Sequence, residues 1–225
     1  MKKIIYNRFN KAWLTDLPRV TYDGKIFVVI GQEESEKAVE YLLSMPILGL
    51  DTETRPSFAK NVRYKCCLLQ VATHHNCFLF RLNILGLNSA VRRLLEDKSV
   101  PKVGLSWHDD LHSLKELGDF EPGNFIDLQD HMREIGIEDL GLQKLYANVF
   151  GERISKAERL SNWERDVLQD KQKQYAAIDA WACIKLYEEL VRLKKTGDYV
   201  LHDEDVELEV EKEFKLYEEL AAQNG

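Results

Sequence analysis

The most constraining feature of the sequence is an apolar run that ends in two acids, Ile47-Leu48-Gly49-Leu50-Asp51-Thr52-Glu53. Side chains of a strand alternate between its two faces, so the run predicts a strand that is apolar on both faces and lies inside a covered sheet. Asp51 and Glu53 would then project from the same face, where two like charges repel. Taken alone, an Asp-x-Glu pair most often marks the solvated end of a strand; the alternative is a divalent-cation site.

The segments around this run predict a mixed α/β sheet. Strand composition occurs at 25–30, 47–54, 66–73, 77–82, 102–106 and 124–128, and helical spacing at 33–45, 87–96, 109–117, 129–135, 140–150 and 166–195. A tight turn at His74-His75-Asn76 makes the strands at 47–54, 66–73 and 77–82 an antiparallel meander. The later alternation of strands with helices indicates parallel crossovers. We therefore expect a mixed sheet of about five strands with helices on both faces.

Length and charge divide the chain into three parts. Its 225 residues suffice for one domain with a full core. Residues 202–225 contain nine acids and two lysines, whereas the remaining chain carries 29 residues of each sign, so the acidity does not argue against an anionic ligand at the main domain. We predict an N-terminal extension at 1–24, a main domain at 25–200 and an acidic, helical C-terminal tail at 201–225.

Composition also bears on the cellular compartment. The four cysteines lack Cys-x-x-Cys spacing, so neither a zinc site nor a disulfide framework is indicated. No window approaches the ~18 consecutive apolar residues of a membrane span. The apolar run near the N-terminus is too short for a signal peptide. We expect a cytoplasmic protein with reduced thiols and no membrane contact.

Two later regions add acids to the pair on the central strand. Asp109 and Asp110 follow a predicted strand at the start of a helix, where an acid is usually a cap, although one of the two could point inward. Tyr175 and Asp179 are four residues apart and share a helical face. Taken alone, such a pair is more often a surface hydrogen bond.

Together these regions resemble the DEDD family of 3′–5′ exonucleases in its tyrosine-bearing branch, with ribonuclease D and Werner-syndrome-type exonuclease domains as the nearest likeness. Leu50-Asp51-Thr52-Glu53 is similar to the first motif of the family. Asp110, with Leu114 four residues on, is similar to the second motif, and this spacing favours Asp110 over Asp109. Leu160-Ser-Asn-Trp163 followed by Gln174-Tyr175-Ala-Ala-Ile-Asp179 is similar to the third motif.

The resemblance implies a ribonuclease H-like fold and the hydrolysis of nucleic-acid 3′ ends to nucleoside 5′-monophosphates with two divalent cations, Mg²⁺ or Mn²⁺. It implies that Asp51 bridges both ions, that Glu53 and Asp179 complete one site, and that Asp110 serves the other. Tyr175, whose ordinary pKa of about 10 makes it a poor base, would orient the attacking water. The alternative function is a nucleic-acid-binding or scaffold module that keeps the fold with weak or no catalysis.

Five residues are candidates for contact with a nucleic acid that has a single-stranded 3′ end or a duplex end: Arg55, Phe58, Lys60, Arg63 and Trp107. The loop from Arg55 to Lys65 contains four bases and no acid; it either binds the phosphate backbone or is an ordinary solvated loop. Phe58 and Trp107 either stack on a base or belong to the core. The sequence leaves DNA and RNA open as substrates and does not predict the oligomeric state.

Overall fold

The computed structural model describes residues 2–203. The helical tail predicted for 201–225 therefore lies outside the described residues from position 204 onward, and the division into three parts stays a prediction. In the described part of the chain, no helix has both the length and the apolar composition needed to span a bilayer.

The described chain contains eight strands and seven α-helices. The strands are β1 (Lys3–Tyr6), β2 (Lys25–Val29), β3 (Leu48–Thr54), β4 (Cys66–Ala72), β5 (Asn76–Arg81), β6 (Lys102–Gly104), β7 (Phe125–Asp127) and β8 (Tyr199–His202). The helices are α1 (Gln32–Leu43), α2 (Leu82–Leu85), α3 (Ser89–Glu96), α4 (Trp107–Lys115), α5 (Leu128–Glu134), α6 (Leu142–Phe150) and α7 (Asp170–Thr196), with a short 3-10 helix at Lys11–Thr15.

The main sheet contains six strands in the order β2-β5-β4-β3-β6-β7. The predicted meander is confirmed, because β3, β4 and β5 pair antiparallel, and β6 and β7 add in parallel as the crossovers indicated. The expected number of about five strands was one too low. The additional strand is β2, which pairs in parallel with β5 at the edge of the sheet. Its strand composition was recognised, but its partner lies three strands later in the chain.

Helices cover both faces of this sheet, as predicted. Leu48 and Leu50 of β3 point into a core cluster with α1 and α3, whereas Ile47 belongs to the opposite cluster, which is built with α5, α6 and α7. The strand is therefore buried on both faces, which the unbroken apolar run had indicated.

The first and last described strands form a separate small sheet. β1 pairs in parallel with β8, and Lys3 of β1 forms an ion pair with Glu189 of α7. Burial of Ile5 in the α7-side core ties the start of the chain to this helix.

Candidate active site

Three carboxylates from two elements meet at the C-terminal end of β3. Asp51 and Glu53 project from the same face of the strand, and Asp179 reaches them from α7. One potential ligand atom from each residue lies within 4.8 Å of the others. Glu53 and Asp179 are buried and Asp51 is half-buried. Such a group of oxygen donors could hold a metal ion.

Small residues let α7 approach β3 closely enough to form this group. A Cβ atom at Gly49 would lie 2.0 Å from the carbonyl oxygen of Ala180, so glycine is required where the helix crosses the strand. Ala176 and Ala177 are fully buried on the same helix. The close contact between the backbones of α7 and β3 therefore fixes the position of Asp179 relative to Asp51 and Glu53.

Asp110 lies beside these three carboxylates and is held by a separate partner. The Thr52 hydroxyl, on the opposite face of β3 from Asp51, donates a hydrogen bond to Asp110 Oδ1. Asp109 points into solvent, with 97% of its side chain exposed, and contacts His108. Of the two adjacent acids, the structure thus places Asp110 at the site, as the spacing to Leu114 favoured.

The junction between β6 and α4 determines where Asp110 lies. Ser106 has a left-handed backbone with φ 62°, a conformation that costs an L-residue roughly 1–2 kcal/mol. Asp127, at the end of β7, accepts hydrogen bonds of 3.0 Å from the backbone N–H groups of both Ser106 and Trp107. These bonds fix the first turn of α4, which carries Asp110.

Burial raises the pKa values of all four acids, and for Asp51 and Glu53 the charges of the other acids in the group add to the shift. Burial, with the charges of Asp179 and Asp110, holds the pKa of Asp51 well above its usual range. Burial and the Asp51 charge raise the pKa of Glu53 to about 10. Burial raises the pKa of Asp110 to about 6 and that of Asp179 to about 7. The charges of Lys156 and Arg159 offset these upward shifts only in part, and a bound cation would supply the remaining compensation.

Tyr175 lies one helical turn before Asp179 and contacts the same group. Its hydroxyl hydrogen-bonds Asp179, and this bond partly offsets the upward shift of the Asp179 pKa. Burial and the negative charges of Asp179 and Glu53 raise the pKa of Tyr175 above its ordinary value. The hydroxyl therefore stays protonated at neutral pH and acts as a hydrogen-bond donor or acceptor. Trp163 is fully buried, with its ring centroid 5.9 Å from that of Tyr175, and it is therefore a packing residue.

The candidate substrate residues divide into exposed and buried ones. Phe58 is 85% exposed, and Lys60 and Arg63 are exposed on the same irregular loop. Arg55 is half-exposed, stacks over the Tyr64 ring and pairs with Glu164 at 3.2 Å.

Trp107 is not available for base stacking. Its side chain is buried in the α1–α3 core, and its indole N–H donates to the Ile126 carbonyl oxygen at 3.0 Å. Of the two alternatives for Trp107, packing in the core is the correct one.

Thr52 and Asp127, which position Asp110, were not among the predicted site residues. Asp127 ends a strand parallel to β3 and β6, and the carboxyl ends of parallel strands meet at one edge of a sheet, so its position carried a usable signal. Lys156 and Arg159 are exposed cations whose charges lower the pKa values of Asp179 and Glu53, respectively. The sequence shows that both cations precede the third motif, but it does not show that their charges act on the acids.

Comparison with known proteins gives the family of the chain. The sequence profile of the 3′-5′ exonuclease family matches residues 26–194. The mouse bifunctional 3′-5′ exonuclease/ATP-dependent helicase WRN is 29% identical over 182 residues, which is 77% of this chain and 13% of the relative. The chain thus spans a small part of that relative's length. It belongs to the 3′-5′ exonuclease family.

Solved structures show the same fold. The Nibbler EXO domain of Aedes aegypti superposes with a TM-score of 0.71 at 17% identity, covering 80% of this chain and 94% of that domain. A Trypanosoma brucei RNase D complex with RNA has a TM-score of 0.65 at 23% identity, covering 75% of this chain and 63% of the other. The ribonuclease H-like fold and the resemblance to ribonuclease D and Werner-type exonucleases are confirmed.

Proposed function

We propose that this protein removes nucleotides from the 3′ ends of nucleic acids by metal-dependent hydrolysis and releases nucleoside 5′-monophosphates. The observation that carries the proposal is the group of three carboxylates within 4.8 Å, with the Tyr175 hydroxyl against one of them. In the reaction, a water oxygen forms a new bond to phosphorus, and the bond to the 3′ oxygen of the preceding nucleotide breaks. The 3′ oxygen leaves as a hydroxyl after it takes up a proton.

The acids suit two hard divalent cations, Mg²⁺ or Mn²⁺. Carboxylate oxygens are the ligands these ions prefer, and the raised pKa values of Asp51 and Glu53 are consistent with negative charge that the nearby cations offset only in part. Asp51, Glu53 and Asp179 would hold one ion, and Asp51 and Asp110 the other. When bound, the ions supply a more acidic water and neutralise charge on the phosphate and the leaving oxygen.

Tyr175 would orient the attacking water by a hydrogen bond. Burial and the charges of the nearby acids keep the phenol neutral, so the hydroxyl has no part in accepting the proton of that water. Its position on the helical face of Asp179 fixes the direction of its hydroxyl relative to the carboxylates.

Exposed cations around the acids would bind the phosphate backbone. Lys156 and Arg159, which lie before α7, border the acids, since their charges act on Asp179 and Glu53. Lys60 and Arg63 are exposed on the loop that follows β3, the strand that carries Asp51 and Glu53. Such contacts are independent of base sequence and weaken with salt. Phe58 would stack on an unpaired base at the 3′ end. Because the Trypanosoma brucei RNase D structure contains RNA, RNA is one proposed substrate, and DNA is the other.

The test is a digestion of 5′-labelled DNA and RNA, each as a single strand and as a duplex with a recessed 3′ end. We expect the wild-type protein to shorten at least one polymer stepwise with Mg²⁺ or Mn²⁺ and to leave all of them intact with EDTA. Asp51→Asn should lose both Mn²⁺ binding, measured by calorimetry, and essentially all cleavage. Binding without shortening by the wild-type protein would instead identify a nucleic-acid-binding module, and cleavage by Asp51→Asn would overturn the assigned metal site.

For the compartment we propose the cytoplasm, supported by the four cysteines, which are all buried and unbonded. Imaging of the tagged full-length protein in its native cell tests this placement.

A further inference from the structure

A buried glutamine lies on the same face of the sheet as the proposed metal ligands. Gln70 of β4 is directly opposite Asp51 of β3 in the antiparallel register. Directly opposed residues point to the same face, with Cβ atoms about 4.5–5.5 Å apart. This is the face covered by α7, as the contact between Gly49 and Ala180 shows. Gln70 therefore points into the space between the sheet and α7, beside Asp51.

The amide of Gln70 is not satisfied by the rest of the described chain. The residue is fully buried, and neither its Oε1 nor its Nε2 atom has a hydrogen-bond partner within residues 2–203. A buried amide without partners costs roughly 1–3 kcal/mol. An apolar residue of similar size would avoid this cost, and three neighbours of Gln70 on the same face, Leu68, Ala72 and Leu79, are apolar. An orphaned amide in a native core calls for an explanation other than packing.

The carboxylate of Asp51 is the polar group that this register brings next to the amide. A rotation of the Gln70 side chain would bring its Nε2 group within hydrogen-bond distance of Asp51, given the short separation across the strands. An amide donates hydrogen bonds without carrying charge. A lysine or arginine at this position would neutralise the negative charge that attracts a cation, whereas a glutamine orients the carboxylate and leaves its charge in place.

We propose that Gln70 is a positioning residue that donates a hydrogen bond from Nε2 to the Asp51 carboxylate and fixes its orientation toward the metal ions. The inference rests on the proposed function, since it concerns the ligand that would bridge both ions. Partners of this kind orient metal ligands, and their loss typically lowers metal affinity or activity by about 10–100-fold.

Mn²⁺ affinity without substrate, measured by titration calorimetry, tests the role of Gln70. The variants are Gln70→Met, which keeps the length of the side chain, and Gln70→Leu, which provides a second apolar replacement if the first folds poorly. Leu79→Met is the matched control, because Leu79 is the cross-strand neighbour of Gln70 on β5 and is equally buried. Thermal unfolding with EDTA monitors the metal-free fold.

We expect both Gln70 variants to bind Mn²⁺ at least tenfold more weakly than the wild-type protein. Their metal-free melting temperature should be equal or higher, because an unsatisfied amide has been removed. At saturating Mn²⁺, kcat should fall while KM for the oligonucleotide is unchanged. Leu79→Met should match the wild-type protein in all of these measurements.

Two outcomes would overturn the inference: Mn²⁺ affinity within twofold of wild type in both Gln70 variants, or an equal loss of affinity in Leu79→Met. Both outcomes leave the proposed function intact if the wild-type protein still cleaves. A wild-type protein that neither binds Mn²⁺ nor cleaves would instead refute the proposed function itself.

Discussion

The surroundings of Tyr175 in the candidate active site keep its hydroxyl protonated. Burial and the nearby charges of Asp179 and Glu53 raise its pKa above the ordinary value, so its hydroxyl can orient a water but does not accept a proton at neutral pH. We predict that Tyr175→Phe lowers kcat about 100-fold, the scale of a lost positioning contact, while Mn²⁺ binding survives. Single-turnover kinetics and calorimetry measure the two quantities.

The matched control for this variant is Tyr187→Phe. Tyr187 lies on the same helix, where its ring packs edge-on against His131, so this substitution should leave both quantities at their wild-type values. Wild-type turnover in Tyr175→Phe would show that the hydroxyl has no role in catalysis.

Asp109 and Asp110 provide an internal comparison, because the two acids are adjacent and only one lies at the site. Asp110 accepts a hydrogen bond from Thr52, whereas Asp109 is almost fully exposed. Asp110→Asn should lower kcat/KM at saturating Mg²⁺ by about 10–100-fold, and Asp109→Asn should be neutral. Steady-state digestion of one labelled oligonucleotide measures both variants. A larger loss in Asp109→Asn would reverse the assignment.

Spacing explains which site residues were predictable. Asp51 with Glu53 follows from the period of a strand, and Tyr175 with Asp179 from the period of a helix, so each pair was expected on one face before any fold was known. Adjacent residues on a first helical turn, such as Asp109 and Asp110, differ in direction by about 100° per residue, so the rotation of the helix decides between them. That rotation depends on Asp127, which is distant in sequence.

At the scale of elements, the contact between β3 and α7 brings the acids together. A Cβ atom at Gly49 would lie 2.0 Å from the Ala180 carbonyl oxygen and 2.9 Å from the Ile184 side chain, so the helix would have to move outward. We predict that Gly49→Ala destabilises the fold by about 1–3 kcal/mol, the typical cost of overpacking. Because Asp179 follows the helix, Mn²⁺ affinity should also fall.

Urea unfolding and calorimetry test this prediction, with Gly141→Ala as the control. Gly141 has an extended backbone and nothing within 4 Å of an added Cβ, so its replacement should change neither quantity appreciably. Unchanged stability in Gly49→Ala would mean that the contact can relax without displacing α7.

The position of β2 in the sheet could not be predicted from the sequence. Its apolar composition identified a strand, and the helical spacing of α1 identified the connection that follows it. The pairing of β2 with β5 is a contact between elements that are distant in sequence. It forms only when β5 has joined the sheet as the last strand of the meander. Local periodicity thus gives the elements and the meander, whereas the order of the strands at the edge is a property of the assembled sheet.

At the scale of the whole molecule, the fold separates the charges of a chain segment that is neutral overall, with acids at the centre of the site and bases at its border. Residues 1–201 carry acids and bases in equal number, yet Asp51, Glu53, Asp110 and Asp179 gather at one edge of the sheet while Lys156 and Arg159 border them. Acids at the centre suit a cation, and bases at the border suit a polyanion. Net charge alone, which is −7, would have argued against such a partner.

The same gathering of acids makes the stability of the metal-free protein depend on pH. In the unfolded chain Asp and Glu titrate near pH 4, whereas burial raises the folded pKa of Asp110 to about 6, of Asp179 to about 7 and of Glu53 to about 10. Between these values the folded state holds protons that the unfolded state has lost. The contribution of these groups to stability is therefore fully present below about pH 4 and is lost as the pH rises.

We predict that the free energy of unfolding in EDTA falls from about pH 5 to about pH 8, and that saturating Mn²⁺ restores it at the higher pH because the ions bind the folded state. Urea titrations at several pH values measure both effects, and Asp51→Asn, which removes one charge from the group, should show a smaller decline and no rescue by Mn²⁺. Glu189, whose folded pKa is lowered to about 2 by Arg192 and Lys3, changes stability in the opposite sense but only below about pH 4.5, outside this window. A free energy of unfolding that is independent of pH in EDTA would contradict the close approach of the acids.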